Sequence, residues 1–232
     1  MDKWASNAYL LYRRAVSGYK ETTIYTLNMK KIVVINLLLF LVQSSSSQDN
    51  DFNRSLRIGV KTMVGTCQPI RFEQIDADAG YNGKFTNSLG LDFSKFFSNK
   101  NALQFGIIYS KYRVTFSSIN NPSFPPIDPF DEEIEILSIP INFQKIFGHL
   151  FYVGLGTLLD FELSRDSPWY LLDTQSGFGL NIEVGKEFQF NRLTLNIAPC
   201  VQLHSFAPFK TEQFQQRMFA ALIQVGLYYN FK

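Results

Sequence analysis

The sequence predicts an all-β fold, an eight-stranded antiparallel up-and-down β-barrel that crosses a membrane and is preceded by a signal peptide. Three observations predict it. Apolar and polar residues alternate with period two in eight stretches, and the connectors between these stretches are alternately long and short. The chain also holds 23 Phe and 11 Tyr although its mean hydropathy is near zero. Alternation explains this combination, because half of each strand is apolar and half is polar.

Residues 29–47 have the order of a secretory signal peptide. Lys30 and Lys31 precede an apolar run interrupted by Asn36, and a serine run at 44–47 offers a cleavage site. The apolar run is short for a membrane-spanning helix. Residues 1–28 show no strand alternation and are interpreted as an upstream extension outside the fold. The mature barrel is therefore expected to cover residues 48–232.

The predicted strands share one face on which aliphatic and aromatic residues recur. They cover residues 56–66, 84–97, 102–116, 133–144, 149–163, 177–188, 193–204 and 221–232. The long connectors are 67–83, 117–132, 164–176 and 205–216, and the short ones are 98–101, 145–148 and 189–192. Short turns at one end and longer loops at the other are typical of outer-membrane barrels. The last strand must pair with the first to close the barrel, so its apolar face is expected to meet lipid.

The polar faces of these strands carry charges of both signs. The charged residues are Arg57, Lys61, Lys84, Asp92, Asp160, Glu183 and Glu187. An eight-stranded barrel has room inside for side chains and little else. A salt-bridged network that fills the lumen is therefore favoured over a proton or ion path. Glycines on the same faces leave a narrow water-filled defect as an alternative.

Three stretches resemble the outer-membrane β-barrel family that includes PorT-like proteins. They are LSIPINF at 137–143, FYVGLGTLLDF at 151–161 and VGLYYNFK at 225–232. The resemblance covers about residues 50–232 and implies an eight-stranded barrel of the OmpA/OmpX type in the outer membrane of a Gram-negative bacterium. It carries over no catalytic residue. Pro140, in the first stretch, removes a ladder donor, so a local bulge or a missing bond is expected there.

No arrangement of catalytic residues stands out, and the protein is expected to be non-enzymatic and to need no cofactor or metal. His149 and His204 fall at opposite ends of the barrel, and His204 beside Ser205 is the one Ser–His grouping. Cys67, just past the first strand, and Cys200, facing inward, are expected to be unpaired. The formal net charge of +2, without a basic stripe, argues against nucleic acid as a partner.

Aromatic residues provide two further groups of candidate sites. Those in the long outer loops are Phe124, Phe130, Trp169 and Tyr170. They either bind a protein or carbohydrate partner or pack within the loops and the aromatic girdle at the membrane interface. Tyr229 and Phe231, in the last strand, are expected to anchor at the interface and to be read by the barrel-assembly machinery.

The favoured function is that of a non-enzymatic outer-membrane protein with a structural or interaction role carried by its long external loops. One alternative is a small conduit or a secretion-assembly component, because PorT itself is tied to a secretion system. Another is a soluble periplasmic lipocalin-like binding barrel, which would bury its apolar face inside. Expected partners are outer-membrane lipid, the assembly machinery, and an extracellular or secretion-system protein.

Overall fold

Eight antiparallel strands close into a barrel in the computed structural model, which describes residues 56–72, 81–98, 100–116, 129–147, 151–166, 172–210 and 216–231. The strands are β1 (Leu56–Arg71), β2 (Tyr81–Ser98), β3 (Asn101–Phe116), β4 (Phe130–Phe147), β5 (Phe151–Asp166), β6 (Gly177–Phe190), β7 (Leu193–Pro208) and β8 (Gln216–Phe231). The predicted all-β, eight-stranded antiparallel barrel is confirmed. The predicted extension at 1–28 and signal peptide at 29–47 lie outside the described residues, as does His149. No helix among the described residues is long and apolar enough to cross a membrane.

The barrel closes through β1 and β8, which pair along the whole of β1. The register runs from Leu56 opposite Phe231 to Arg71 opposite Gln216. Every other strand pairs with its neighbours in sequence, as expected for strands joined by simple hairpin connections. Closure matters because a strand edge exposed to lipid would leave its backbone donors and acceptors without partners.

Side-chain burial alternates along the strands and shows which face is inside. In β6, Asn181 and Glu183 are buried, whereas Ile182 between them is 50% exposed. Every strand contributes exposed aliphatic or aromatic residues to one outer belt. One example from each strand is Val60, Leu91, Ile107, Ile141, Leu155, Ile182, Ile197 and Leu227. The apolar faces therefore point outward, around the whole circumference.

Several strands extend further toward the long loops than the sequence predicts. β1 continues to Arg71, β7 continues to Pro208, and β8 begins at Gln216. The placement of Cys67 past the end of the first strand is wrong, because this residue lies within β1, buried and facing inward, where β1 still pairs with β8. Ladder pairing thus continues through segments in which the alternation of apolar residues is weaker.

Pro140 interrupts the ladder between β3 and β4. The pairs end at Phe105 opposite Ile141 and resume at Ile108 opposite Ser138, with no change of register. Pairing is therefore missing around Pro140, as one of the two expectations had it, and no bulge occurs there. On its other side Pro140 remains opposite Leu158 of β5. The missing backbone N–H of Pro140 therefore affects only the pairing with β3.

The outer face changes character along the strands. In β3 the outward residues are apolar from Leu103 to Tyr109 and then charged at Lys111 and Arg113, whereas Tyr112 and Val114 next to them face inward and are fully buried. We call the part of the barrel nearer the short turns the short-turn half and the part nearer the long loops the long-loop half. The short-turn half is apolar outside and polar inside. On β3 and β4 the long-loop half has the opposite polarity, as in a barrel surrounded by water, whereas Leu163 of β5 and Phe206 of β7 keep the outer face apolar near the long loops.

Candidate functional site

The lumen of the short-turn half is filled by buried ion pairs. Arg57 contacts Glu187 through Nη1 and Oε1, and Lys61 Nζ lies 2.9 Å from Asp92 Oδ2. All four side chains are at most 3% exposed. A buried charge without a partner would cost several kcal/mol, so the pairing is what allows these groups to remain inside.

Gln144 joins the two ion pairs into one network. Its Oε1 accepts a hydrogen bond from Arg57 at 3.2 Å, and its Nε2 donates to Glu183 Oε1 at 2.7 Å and to Gln104 Oε1 at 2.8 Å. Gln104 in turn donates to Asp92 Oδ2 at 2.8 Å. The charged members of this network were predicted from the sequence, but the two glutamines were not, because an inward amide in a strand carries no distinctive pattern.

Aromatic rings occupy the space left by three of the inward glycines. The Arg57 guanidinium lies over the Tyr228 ring at 4.5 Å from its centroid. A Cβ atom at Gly59 or Gly226 would collide with the Tyr228 ring, and one at Gly185 would collide with Tyr152. At these three glycines the rings fill the space in which a water-filled defect was the alternative.

A second polar cluster lies around Asp160. Ser138 Oγ donates to Asp160 Oδ1 at 2.5 Å, and His204 Nδ1 lies 3.0 Å from Asp160 Oδ2, although the ring N–H is not directed at that oxygen. On the other side of the ring, His204 Nε2 and the Tyr112 hydroxyl form a hydrogen bond of 2.7 Å. Ser205 Oγ instead donates to the carbonyl of Ser176 at 3.1 Å. The Ser–His grouping therefore does not have the geometry of a nucleophile and its base.

Above this cluster, in the long-loop half, the lumen is filled by apolar side chains. Members of this apolar layer are Met63, Cys67, Ile108, Tyr112, Val114, Phe116, Ile134, Ile136, Cys200, Met218, Ala220 and Leu222. All of these side chains are at most 4% exposed. Cys67 and Cys200 are both free, as expected. This layer was not predicted, although the sequence indicates it: Lys111 and Arg113 alternate with the apolar residues Tyr112 and Val114.

The mouth of the barrel is closed by residues 172–176, which precede β6. Leu172 packs into the apolar layer, and Asp173 Oδ2 accepts a hydrogen bond from the Gln216 backbone N–H at 2.9 Å. Gln175 Oε1 accepts from the Met218 backbone N–H at 2.8 Å. The segment thus supplies partners for the first residues of β8, where the β7–β8 ladder, which runs to Phe219, does not reach.

Arg165 holds this closing segment in place. Its Nη2 donates to the Asp173 carbonyl at 2.9 Å and to Glu162 Oε2 at 2.7 Å, and its Nη1 contacts the Leu172 carbonyl. Arg165 is 3% exposed at its side chain, and its Nε lies 3.5 Å from Glu132. This interaction was not predicted, because Arg165 and its partners Leu172 and Asp173 fall in one long connector, whose folding the strand alternation does not describe.

Lys84 is the one member of the predicted lumen set that lies outside the lumen. A register shift between Gly83 and Thr86 turns it outward, where its Nζ lies 2.7 Å from Asp131 Oδ1 on the outer rim. The other six residues, Arg57, Lys61, Asp92, Asp160, Glu183 and Glu187, face inward and are buried. A strand bulge adds one residue on one strand, so it reverses the face of the residues that follow, and the alternation alone does not reveal it.

Of the four aromatic residues predicted to contact a partner, the structure describes only Phe130. Phe130 stacks on Phe116, with ring centroids 5.1 Å apart, and packs against the apolar layer. Its placement in the long connector is wrong, since the residue is the first of β4, and its packing agrees with the second of the two alternatives. Phe124, Trp169 and Tyr170 lie outside the described residues. Among the described residues, no group of three or more His, Cys, Asp and Glu side chains could hold a metal ion.

Tyr229 and Phe231 lie on the outer face near the end of β8. Their ring centroids are 4.9 Å apart at an interplanar angle of 72°, and Phe231 is opposite Leu56 of β1. Tyr229 OH also accepts a hydrogen bond from Arg192 at 3.0 Å. The two rings thus sit at the short-turn rim, beside the seam that closes the barrel.

Comparison with known proteins gives no family. No family model matches the chain, and no curated protein matches it. Among solved structures, outer membrane protein OprG from Pseudomonas aeruginosa is 14% identical, with a TM-score of 0.46 over 77% of this chain and 96% of that chain. Outer membrane protein W from Escherichia coli is also 14% identical, with a TM-score of 0.44 over 77% of this chain and 98% of that chain.

An enzyme occurs among the similar structures as well. The outer membrane protease OmpT from E. coli is 9% identical, with a TM-score of 0.35 over 81% of this chain and 100% of that chain. These three proteins are outer membrane proteins, and one is a protease. Similarity at this level does not assign an activity, because one fold hosts unrelated functions.

Proposed function

We propose that this protein is a non-enzymatic integral protein of the outer membrane, with a structural or interaction role carried by its long-loop half and external loops. The observation that carries the proposal is the outer belt. Exposed aliphatic and aromatic side chains surround the short-turn half on all eight strands, while ion pairs fill its interior. This polarity suits a closed barrel whose surroundings are lipid.

The same polarity opposes a soluble binding barrel. A soluble barrel would place its aliphatic residues inside, whereas here Leu89 is 65% exposed and Leu155 is 59% exposed. Leaving such a side chain in water forgoes about 1.5–3 kcal/mol of burial free energy for each residue. Repeated over the whole belt, this cost disfavours an aqueous location.

An outer-membrane location is supported by the topology. The chain joins its strands by short turns at one end and longer connectors at the other, which is typical of bacterial outer-membrane barrels. The location is tested by expressing the full chain with its predicted signal peptide and separating the membranes. Recovery in the outer-membrane fraction, as a species whose gel mobility changes on heating, is expected. Recovery in the soluble periplasmic fraction would contradict the proposal.

The proposed role excludes conduction through the barrel. The polar network, the apolar layer and the closing segment at 172–176 lie one above the other inside the described part of the lumen. An ion would have to pass a layer of buried aliphatic and aromatic side chains without compensating polar groups.

In planar lipid bilayers the purified protein is therefore expected to give no steady single-channel current. An open porin reconstituted in the same bilayers is the positive control. Reproducible current steps that scale with the amount of folded protein would favour the conduit alternative instead.

Catalysis is disfavoured because a substrate could not reach the candidate catalytic residues. Tyr112 and His204 are hydrogen-bonded and Asp160 lies beside the imidazole ring, but all three side chains are buried in the lumen, Tyr112 within the apolar layer and the other two below it. A substrate would have to displace packed core residues before it reached any of them. We therefore assign this cluster a structural role: its side chains fill the lumen and satisfy one another's polar groups.

Charge placement on the outer belt is expected to matter strongly. Ile182→Arg puts a cation on the lipid-facing side of β6, and we expect a loss of about 2–4 kcal/mol if the residue lies near the bilayer midplane. Asn82→Arg, at an exposed position in the long-loop half, is the control and is expected to change stability little. Urea unfolding in lipid vesicles measures both. Equal losses would contradict the assignment of the belt to lipid.

A narrower hypothesis is a secretion-assembly component of the PorT-like kind. Its support is the resemblance of the three stretches, which lie in β4, β5 and β8. Cross-linkers placed on the long connectors, followed by identification of the attached protein in the native host, test this role. Attachment of a secretion component would support it, and a complete absence of attached protein would leave the broader structural role.

A further inference from the structure

The short-turn rim is basic on its outer surface. Lys95 of β2, Lys145 of β4 and Lys186 of β6 lie on the outward face close to the short-turn ends of their strands. Lys100 and Arg192 add two cations in the short turns themselves. We call these five residues the basic rim.

No acidic side chain neutralises the basic rim within the described part of the chain. The acidic residues described in the short-turn half, Asp92, Glu183 and Glu187, are buried in the lumen. No ion pair joins Lys95, Lys145 or Lys186 to a described carboxylate. Their charge is thus available to something outside the barrel.

The opposite rim shows a different arrangement. There Lys84 pairs with Asp131 at 2.7 Å, and Lys111 lies 2.9 Å from Glu133 and 2.7 Å from Glu135. Arg113 also pairs with Glu133, at 2.8 Å. The three cations at the long-loop rim therefore have acidic partners within the protein. The three lysines of the basic rim have none among the described residues. This contrast points to an external anion at the short-turn end.

The position of the lysines selects a lipid rather than an acidic protein. They lie on the sides of the barrel, interleaved with exposed phenylalanines, and not only at the tips of the turns. Lys186 Nζ lies 5.3 Å from the ring centroid of Phe151 and 5.1 Å from that of Phe188, and Lys145 Nζ lies 6.0 Å from that of Phe147. Aromatic rings and lysines with apolar stems together mark the level of lipid headgroups.

We infer that the basic rim binds the phosphate groups of anionic phospholipids in the leaflet that contacts the short-turn end. The inference rests on the proposed insertion in a membrane and adds the lipid class and the side of the barrel that selects it. The binding is electrostatic, so it weakens as salt increases. The paired cations of the opposite rim make no comparable contribution.

The test uses the refolded full-length barrel in bilayers of phosphatidylcholine that contain a trace of spin-labelled lipid. Electron spin resonance gives the association of spin-labelled phosphatidylglycerol with the protein relative to that of spin-labelled phosphatidylcholine. At the basic rim we expect a preference of about fivefold for phosphatidylglycerol, the ratio that corresponds to roughly 1 kcal/mol for one cation beside an anionic lipid. The preference is expected to fall toward one in about 0.5 M NaCl, because salt well above physiological ionic strength screens surface charges.

Two matched triple variants locate the effect. K95Q/K145Q/K186Q is expected to lose most of the preference, whereas K84Q/K111Q/R113Q at the opposite rim is expected to keep it. Heat modifiability in pure phosphatidylcholine shows that each variant is folded, and the single variant K186Q replaces the triple variant if the latter fails to insert. Equal preferences in wild type and the basic-rim variant would overturn the inference, as would a wild type with no preference, the result expected if the rim instead binds an acidic protein. Failure of wild type to insert in any bilayer would instead overturn the membrane proposal itself.

Discussion

Deletion of residues 225–232 is expected to abolish the folded barrel. Seven residues of β8 would be lost, which pair with residues 56–62 of β1 and, in part, with residues 193–197 of β7. Both neighbouring strands would then present unpaired backbone groups at the level of the lipid, at a cost of several kcal/mol for each group. Pulse–chase analysis with heat modifiability is expected to show degraded or aggregated periplasmic protein and no inserted species.

Removal of Lys232 alone is the matched control, because β8 ends at Phe231. This shorter chain is expected to assemble normally. Phe231→Ala should lie between the two, with a reduced amount of folded protein, since it removes a ring at the closing seam that packs on Tyr229. The role of these two aromatics as a signal for the assembly machinery stays a prediction. If the eight-residue deletion variant is inserted in the same amount as the full-length protein, the proposed closure of the barrel through β8 is wrong.

Arg57→Ala is expected to lower the free energy of unfolding by about 3–5 kcal/mol, because it leaves Glu187 as a buried charge whose main partner is gone. Arg57 also donates to Gln144 and lies over the Tyr228 ring, so the same substitution opens a gap at the centre of the polar network. Urea unfolding in lipid vesicles, followed by the change in gel mobility, measures the loss.

The double variant R57M/E187L separates charge from packing. Replacing a buried ion pair by apolar groups of similar size is often nearly neutral, so the double variant is expected to recover most of the lost stability. Lys84→Ala, which removes an exposed pair at the outer rim, is expected to change stability little. If the double variant is as unstable as Arg57→Ala, packing around the guanidinium, rather than the unpaired charge, accounts for the loss.

The inversion of polarity along the strands relates the fold to the proposed role. On β4 the outward residues change from aliphatic at Ile139 and Leu137 to acidic at Glu135 and Glu133, while Ile136 and Ile134 turn inward. A strand needs about 9–11 residues to cross a bilayer, and β4 has 18. The remaining residues form a barrel extension with its own apolar layer.

The sequence by itself determined which residues lie on each face and how the strands follow one another. The side-chain period of a strand is local, so the alternation around Ile182 and the unequal connectors were sufficient for the eight-stranded topology and for the inward position of six of the seven predicted charges. The polarity inversion at Lys111 and Glu135 is also visible in the sequence, although it was not recognised there.

The tertiary structure alone decided which charges meet and what closes the lumen. Arg57 and Glu187 are 130 residues apart, and their contact depends on the register of strands that do not adjoin each other, which no local pattern encodes. A bulge, rather than the alternation, decides the position of Lys84. Residues 172–176 close the mouth because Asp173 contacts both Arg165 of β5 and the backbone of Gln216 in β8. These two strands are brought near each other only when the barrel closes. Local sequence fixes faces because each residue's direction follows from its own backbone, whereas contacts across the lumen follow from the stagger of the whole barrel.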